Sequence, residues 1–203
     1  MSEEPQSRWV IREEASHAVI IALYVRQALG IRGQHDLPTL RNAPIANPIR
    51  SDAEHDALER QWRSYWEMTV EPRAHTHSGP LDLVDGFDDF VALPITGANE
   101  LRAAMVPLAA AAMAYATQAG QRYFDESSRR GGEARRPYVN AISMLRRTSG
   151  RSAQDFELNV EVLPLSQRGV WWIGSLTIAI TDSVRSDVVA FDSALAAVVD
   201  ELG

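Results

Sequence analysis

The chain has 203 residues, 45% of them apolar and 23% charged, and a net charge of −7. That length and balance suit one packed domain and exclude a disordered chain. Cysteine is absent, which excludes disulfides, thiolate metal sites and cysteine nucleophiles. Every basic residue is arginine, so the Walker lysine and Schiff-base chemistry are missing as well.

No apolar run approaches the ~20 residues that a membrane-spanning helix needs. The opening MSEEPQSR (residues 1–8) is a polar arm without the basic region of a secretory signal, which predicts a cytoplasmic chain. Residues 12–29 read as a helix, with Glu13 and Glu14 in its first turn and Gly30 as its stop. Residues 31–50 contain Pro38, Pro44 and Pro48 and read as an irregular connection.

The next helix is announced by Ser51-Asp52-Ala53-Glu54, a capping box. Leu58, Trp62, Tyr65 and Trp66 follow at helical spacing and Pro72 ends the element, which places both tryptophans in the core. A short strand is expected around 87–93, before Pro94. Residues 99–126 form a long helical stretch that Pro107 must kink or restart. Residues 127–136 (SSRRGGEARR) read as a mobile loop, and 137–147 fits either strand or helix.

Residues 155–162 carry the clearest β signal. Phe156, Leu158, Val160 and Val162 alternate with Asp155, Glu157, Asn159 and Glu161, which predicts one core face and one polar face. Pro164 and Gly169 mark a turn, and 170–181 reads as the return strand with Trp172, Leu176, Ile178 and Ile180 on the core side. Ser186 then caps a final amphipathic helix. The whole predicts a single α+β domain over 1–203. It comprises a small antiparallel or mixed sheet, helices packed mainly on one face, and a C-terminal β-hairpin followed by an amphipathic helix.

Three constellations bear on function. With Trp172 in the core, Trp171 and Ile173 emerge on the polar side beside Glu157 and Glu161, an interface anchor of the kind used in protein contacts. Eight arginines between Arg122 and Arg151 face three acidic residues, giving +5 locally and −12 elsewhere. Of these, Arg129, Arg130, Arg135, Arg136, Arg146 and Arg147 make an anion site with forks suited to phosphate or carboxylate. His75 and His77 precede Asp82 and Asp85, a set of nitrogen and oxygen donors for a metal-dependent hydrolase.

No nucleophile elbow, glycine-rich phosphate loop or cofactor motif is present. The primary expectation is a non-catalytic interaction or assembly protein, self-associating or part of a hetero-complex. The alternatives are the metal hydrolase and a binder of anionic ligands. Nucleic acid is disfavoured by the acidic balance (pI ≈ 5.2), and no cofactor or membrane partner is expected.

Overall fold

The computed structural model describes residues 9–32, 37–45, 51–77, 79–131, 136–149 and 156–202, with the side chains of 9, 144–149, 156 and 202 outside the description. The architecture is α+β. Four strands form a mixed sheet in the order β1 (Trp9–Glu14), β4 (Phe156–Leu163), β6 (Thr177–Thr181), β5 (Val170–Gly174). β1, β4 and β6 run parallel, and β5 is antiparallel to β6. A separate two-stranded ribbon joins β2 (Leu81–Leu83) to β3 (Ala92–Pro94).

Several elements differ from the sequence expectations for identifiable reasons. The N-terminal element is a strand followed by a helix: β1 takes Arg12, Glu13 and Glu14, and α1 (His17–Ala28) starts after the Ser16 cap. The acidic pair therefore sits in the sheet and not in the first turn of a helix. The hairpin precedes the C-terminal helices, yet it lies within 170–181 and turns at Ser175-Leu176. β6 slots between β4 and β5 because all five of its residues are buried and need cover on both faces. Residues 87–90 form turns, and the ribbon strands flank them.

The capping box forms as expected and opens α2 (Asp52–Val70). Pro107 restarts the helical path: α3 (Asn99–Met105) passes through one 3-10 turn into α4 (Ala109–Arg130). α4 carries residues 127–130 as helix up to Gly131, so the expected loop is shorter; 132–135 lie outside the described residues. Residues 136–149 are the helix α5 (Arg136–Ser149). α6 (Asp182–Arg185) and α7 (Val188–Leu202) complete the chain, and the cap of α7 is Asp187, which accepts from Ala190 N at 3.1 Å, rather than Ser186.

Both faces of the sheet are covered. The larger layer, α1 to α4, packs on the face that carries Leu163, Ile173 and Ala179. α5 and α7 close the other face over Leu158, Val160, Val162, Ile178 and Ile180. Trp62 and Trp66 stack in the larger core, and Trp62 Nε1 donates to Ala22 O at 2.9 Å. Gly120 lets α4 approach α1, since a Cβ there would stand 3.1 Å from the His17 ring.

Candidate functional site

On the face of the larger core, the helices leave part of the sheet open. Register fixes what is exposed there. β1 contributes Arg12 and Glu14, β4 contributes Glu157, Asn159 and Glu161, and β6 contributes Thr177. Arg12 stands opposite Asn159, Glu14 opposite Glu161, and Asn159 opposite Thr177. The N-terminus of α1 closes one end with Ser16 and Val19, and residues 69–74 at the end of α2 form the wall. The result is a half-open cleft of about 370 Å³, within the size range of small-molecule sites.

The wall is held against the hairpin turn by close packing. A Cβ at Gly174 would lie 2.8 Å from Val70 Cγ1 and 3.0 Å from Glu71 Cγ, so glycine permits the approach. That approach brings Ser175 to Glu71: the Ser175 amide donates at 2.6 Å and its hydroxyl donates to the same oxygen. These bonds hold the Glu71 carboxyl below its ordinary range, with His75 adding a smaller effect.

The mouth of the cleft is ionic. Arg12 pairs with Glu157, and Arg73 reaches the other Glu157 oxygen at 3.3 Å. Both arginines are thereby tied to one carboxylate.

The inner end is different. Glu161 is only 4% exposed, and its Oε2 accepts from the Ser16 amide at 2.9 Å. Burial pushes this carboxyl up to about 8; the Ser16 bond opposes the rise, and the charge of Glu14 adds to it. Thr177, 3% exposed, lies two positions along the same floor. Among the described residues, the second Glu161 oxygen, the Asn159 amide and the Thr177 hydroxyl have no hydrogen-bond partner. The rise favours the protonated form of Glu161, which can donate a hydrogen bond.

Of the interface residues expected from sequence, Glu157 and Glu161 both enter this cleft. Trp171 and Ile173 do not form an exposed pair. Ile173 is 6% exposed and Trp171 packs half-buried on the larger core, whereas Trp172 is 36% exposed on the opposite face. The faces are as expected, with Trp172 opposite Ile178 and Trp171 opposite Ala179, but helices cover the Trp171 side as well. Trp172 Nε1 donates to Glu201 Oε2 at 2.6 Å.

The metal set does not converge. His75 stands 3.5 Å from Glu71 and 3.9 Å from Glu67, His77 folds onto Gly79, and Asp82 faces Arg102 at 3.8 Å. Among the described residues no group of three or more His, Asp or Glu side chains, Asp85 included, is arranged to hold a metal ion. The histidines stay near α2 while the ribbon carries the aspartates toward α3.

Of the arginines, Arg129 is exposed at the end of α4, and Arg130 turns back onto the carbonyl oxygens of Glu126 and Arg185. Arg136 opens α5 with an exposed side chain. Arg135 and the side chains of Arg146 and Arg147 lie outside the described residues. No helix among the described residues is long and apolar enough to cross a membrane.

A second polar cluster lies beneath the opposite sheet face. Arg185 Nε donates to Glu13 Oε2 at 2.8 Å, with its guanidinium 4.3 Å from the centre of the Phe191 ring. Tyr138 donates to the same Glu13 oxygen, and Tyr123 donates to Glu13 O at 3.1 Å. Burial, reinforced by the Glu13 charge, raises both phenols, that of Tyr123 to about 12. Every named group here is partnered, so the cluster fastens β1 to α4, α5 and α6 and leaves no group for a ligand.

Sequence reasoning singled out Glu157 and Glu161 but missed Arg12, Glu14, Glu71, Arg73, Ser175 and Thr177. Arg12 and Glu14 were hidden by the helical reading of 12–29, and Thr177 and Ser175 by reading 170–181 as one strand. Compared with protein-family models, curated proteins and solved structures, the chain matches none.

Proposed function

We propose that this protein binds a small polar molecule in the cleft above β1, β4 and β6. The observation that carries the reading is the inner end of the cleft. There the second carboxyl oxygen of Glu161, the half-buried Asn159 amide and the Thr177 hydroxyl line a cavity with no protein partner among the described residues. Three polar groups at one end of a half-open cleft supply a ligand's recognition points. Binding is favoured over the assembly expected from the sequence, since Ile173 and Glu161, two of its four anchor residues, are buried.

The test is thermal unfolding of the full chain against a library of small anionic, cationic and neutral compounds. It is run in parallel on the Asn159→Ala/Thr177→Val double variant. Some compounds are expected to raise the Tm of the wild type, and the shift should vanish in the variant; occupancy at 100 times Kd is worth about 2.7 kcal/mol. A library with no stabiliser, or stabilisers acting equally on both proteins, overturns the proposal.

A further inference from the structure

We infer that the occupant of this cleft is a small organic cation, an amine or amidine seated between Glu14 and Glu161. The inference rests on the ligand-binding reading and adds the chemical class.

Glu14 and Glu161 are direct partners across the parallel pair β1–β4 and line the same cleft. Adjacent strands lie about 4.8 Å apart, so two carboxyls on one face at one register position repel each other when both are ionised. Such a pair is relieved either by a proton on Glu161 or by a cation between its members, and the protein supplies no cation there. The charged groups facing this position are Arg12 from β1, Glu157 from β4, and Glu71 and Arg73 from the end of α2. β6 and α1 contribute the uncharged Thr177, Ser16 and Val19. Both arginines are already paired with Glu157 at the mouth. Glu71 is held by Ser175 and His75. The lining thus holds four carboxyl groups against two arginines, and the deficit of positive charge sits at the inner end.

Thr177 gives an independent sign of a ligand at the same place. The residue is 3% exposed and part of the floor, and its hydroxyl has no partner among the described residues. Together with Asn159 it offers oxygen acceptors to the N–H groups of a cation held by the carboxyl pair. A primary ammonium or an amidinium carries enough N–H donors to use all of them. An anion would meet the carboxyl pair, and its natural partners, Arg12 and Arg73, would first have to leave Glu157.

Seating a cation favours the ionised form of Glu161, so occupancy releases a proton from it when the free protein holds that proton. Affinity must therefore rise with pH until the free carboxyl is itself ionised, and then level off.

The experiment follows the glutamate side-chain carboxyl signals of the labelled full chain by NMR. Ethylammonium, acetamide, acetate, sodium chloride or magnesium chloride is added at pH values from 6 to 9. Ethylammonium stays charged throughout that range. It is expected to shift the Glu14 and Glu161 signals saturably, with affinity rising about tenfold per pH unit up to about 8. Glu161→Gln removes the saturable response. Glu14→Gln, at an exposed position that the fold does not depend on, weakens it several-fold and lowers its pH dependence little.

Saturable shifts from acetamide or acetate with none from ethylammonium would overturn the cation and leave the ligand-binding reading standing. Equal shifts from sodium or magnesium would replace the organic cation by a metal ion and overturn the inference likewise. Silence of the cleft toward every probe would overturn both.

Discussion

Glu161→Gln is the substitution that most sharply separates this account from a merely structural glutamate. The carboxyl has an ordinary value of 4.5 and is raised to about 8 in the fold, chiefly by burial. The folded chain therefore holds the proton more tightly than the unfolded chain. Below about 4.5 the group is neutral in both states. Between about 4.5 and 8 the unfolded chain gives up the proton while the folded chain keeps it, so stability falls as pH rises; above 8 the loss is complete. A rise of that size corresponds to roughly 5 kcal/mol. Glutamine is close in shape, can accept from the Ser16 amide through its carbonyl oxygen, and does not titrate. Urea unfolding of both proteins at intervals from pH 4 to 9 is the assay. The variant is expected to gain on the wild type by several kcal/mol, nearly all of it between pH 5 and 8. A stability difference that stays constant with pH would refute the reasoning, since the carboxyl would then titrate alike in both states.

Three further outcomes follow from the packing. Arg185→Met leaves Glu13 buried without its guanidinium partner and is expected to cost about 3–5 kcal/mol in urea unfolding; adding Glu13→Leu should recover part of that loss. Trp62→Phe removes the buried indole bond to Ala22 O, a carbonyl that keeps its place in the α1 ladder, and should cost about 0.5–1.5 kcal/mol, visible as a lowered Tm. Ser51→Ala removes the acceptor for the Glu54 amide at the start of α2 and should cost about 1 kcal/mol, with the cleft's ligand response unchanged.

The legible parts of this fold are those set by neighbours in sequence. Ser51 and Glu54 are three residues apart, so the cap of α2 could be read directly, and Pro107 marked the break between α3 and α4. The alternation through Leu158, Val160 and Val162 gave the inward face of β4. What was not legible depends on residues far apart in the chain. Glu14 meets Glu161 across a parallel pair separated by most of the sequence, and no local pattern announces such a pairing. β1 carries charged side chains on its cleft side because that side is a floor, so it lacks the apolar run of a central strand. Alternation placed Glu161 on the polar side correctly, yet polar in sequence is not exposed in the fold, because α1 and the end of α2 close over it. Alternation likewise set the faces of Trp171 and Trp172 as expected, but not their exposure, because helices cover the Trp171 and Ile173 face as well.

The most direct test of the cleft as the functional site is a crystallographic fragment screen of the full chain above pH 8, read by where fragments settle. Basic fragments are expected to collect over β1, β4 and β6, with a nitrogen within hydrogen-bond distance of Glu161 and of Thr177 or Asn159. Fragments gathering in the depression beside Tyr24 and Tyr115, with the Glu161 cleft holding none, would contradict it.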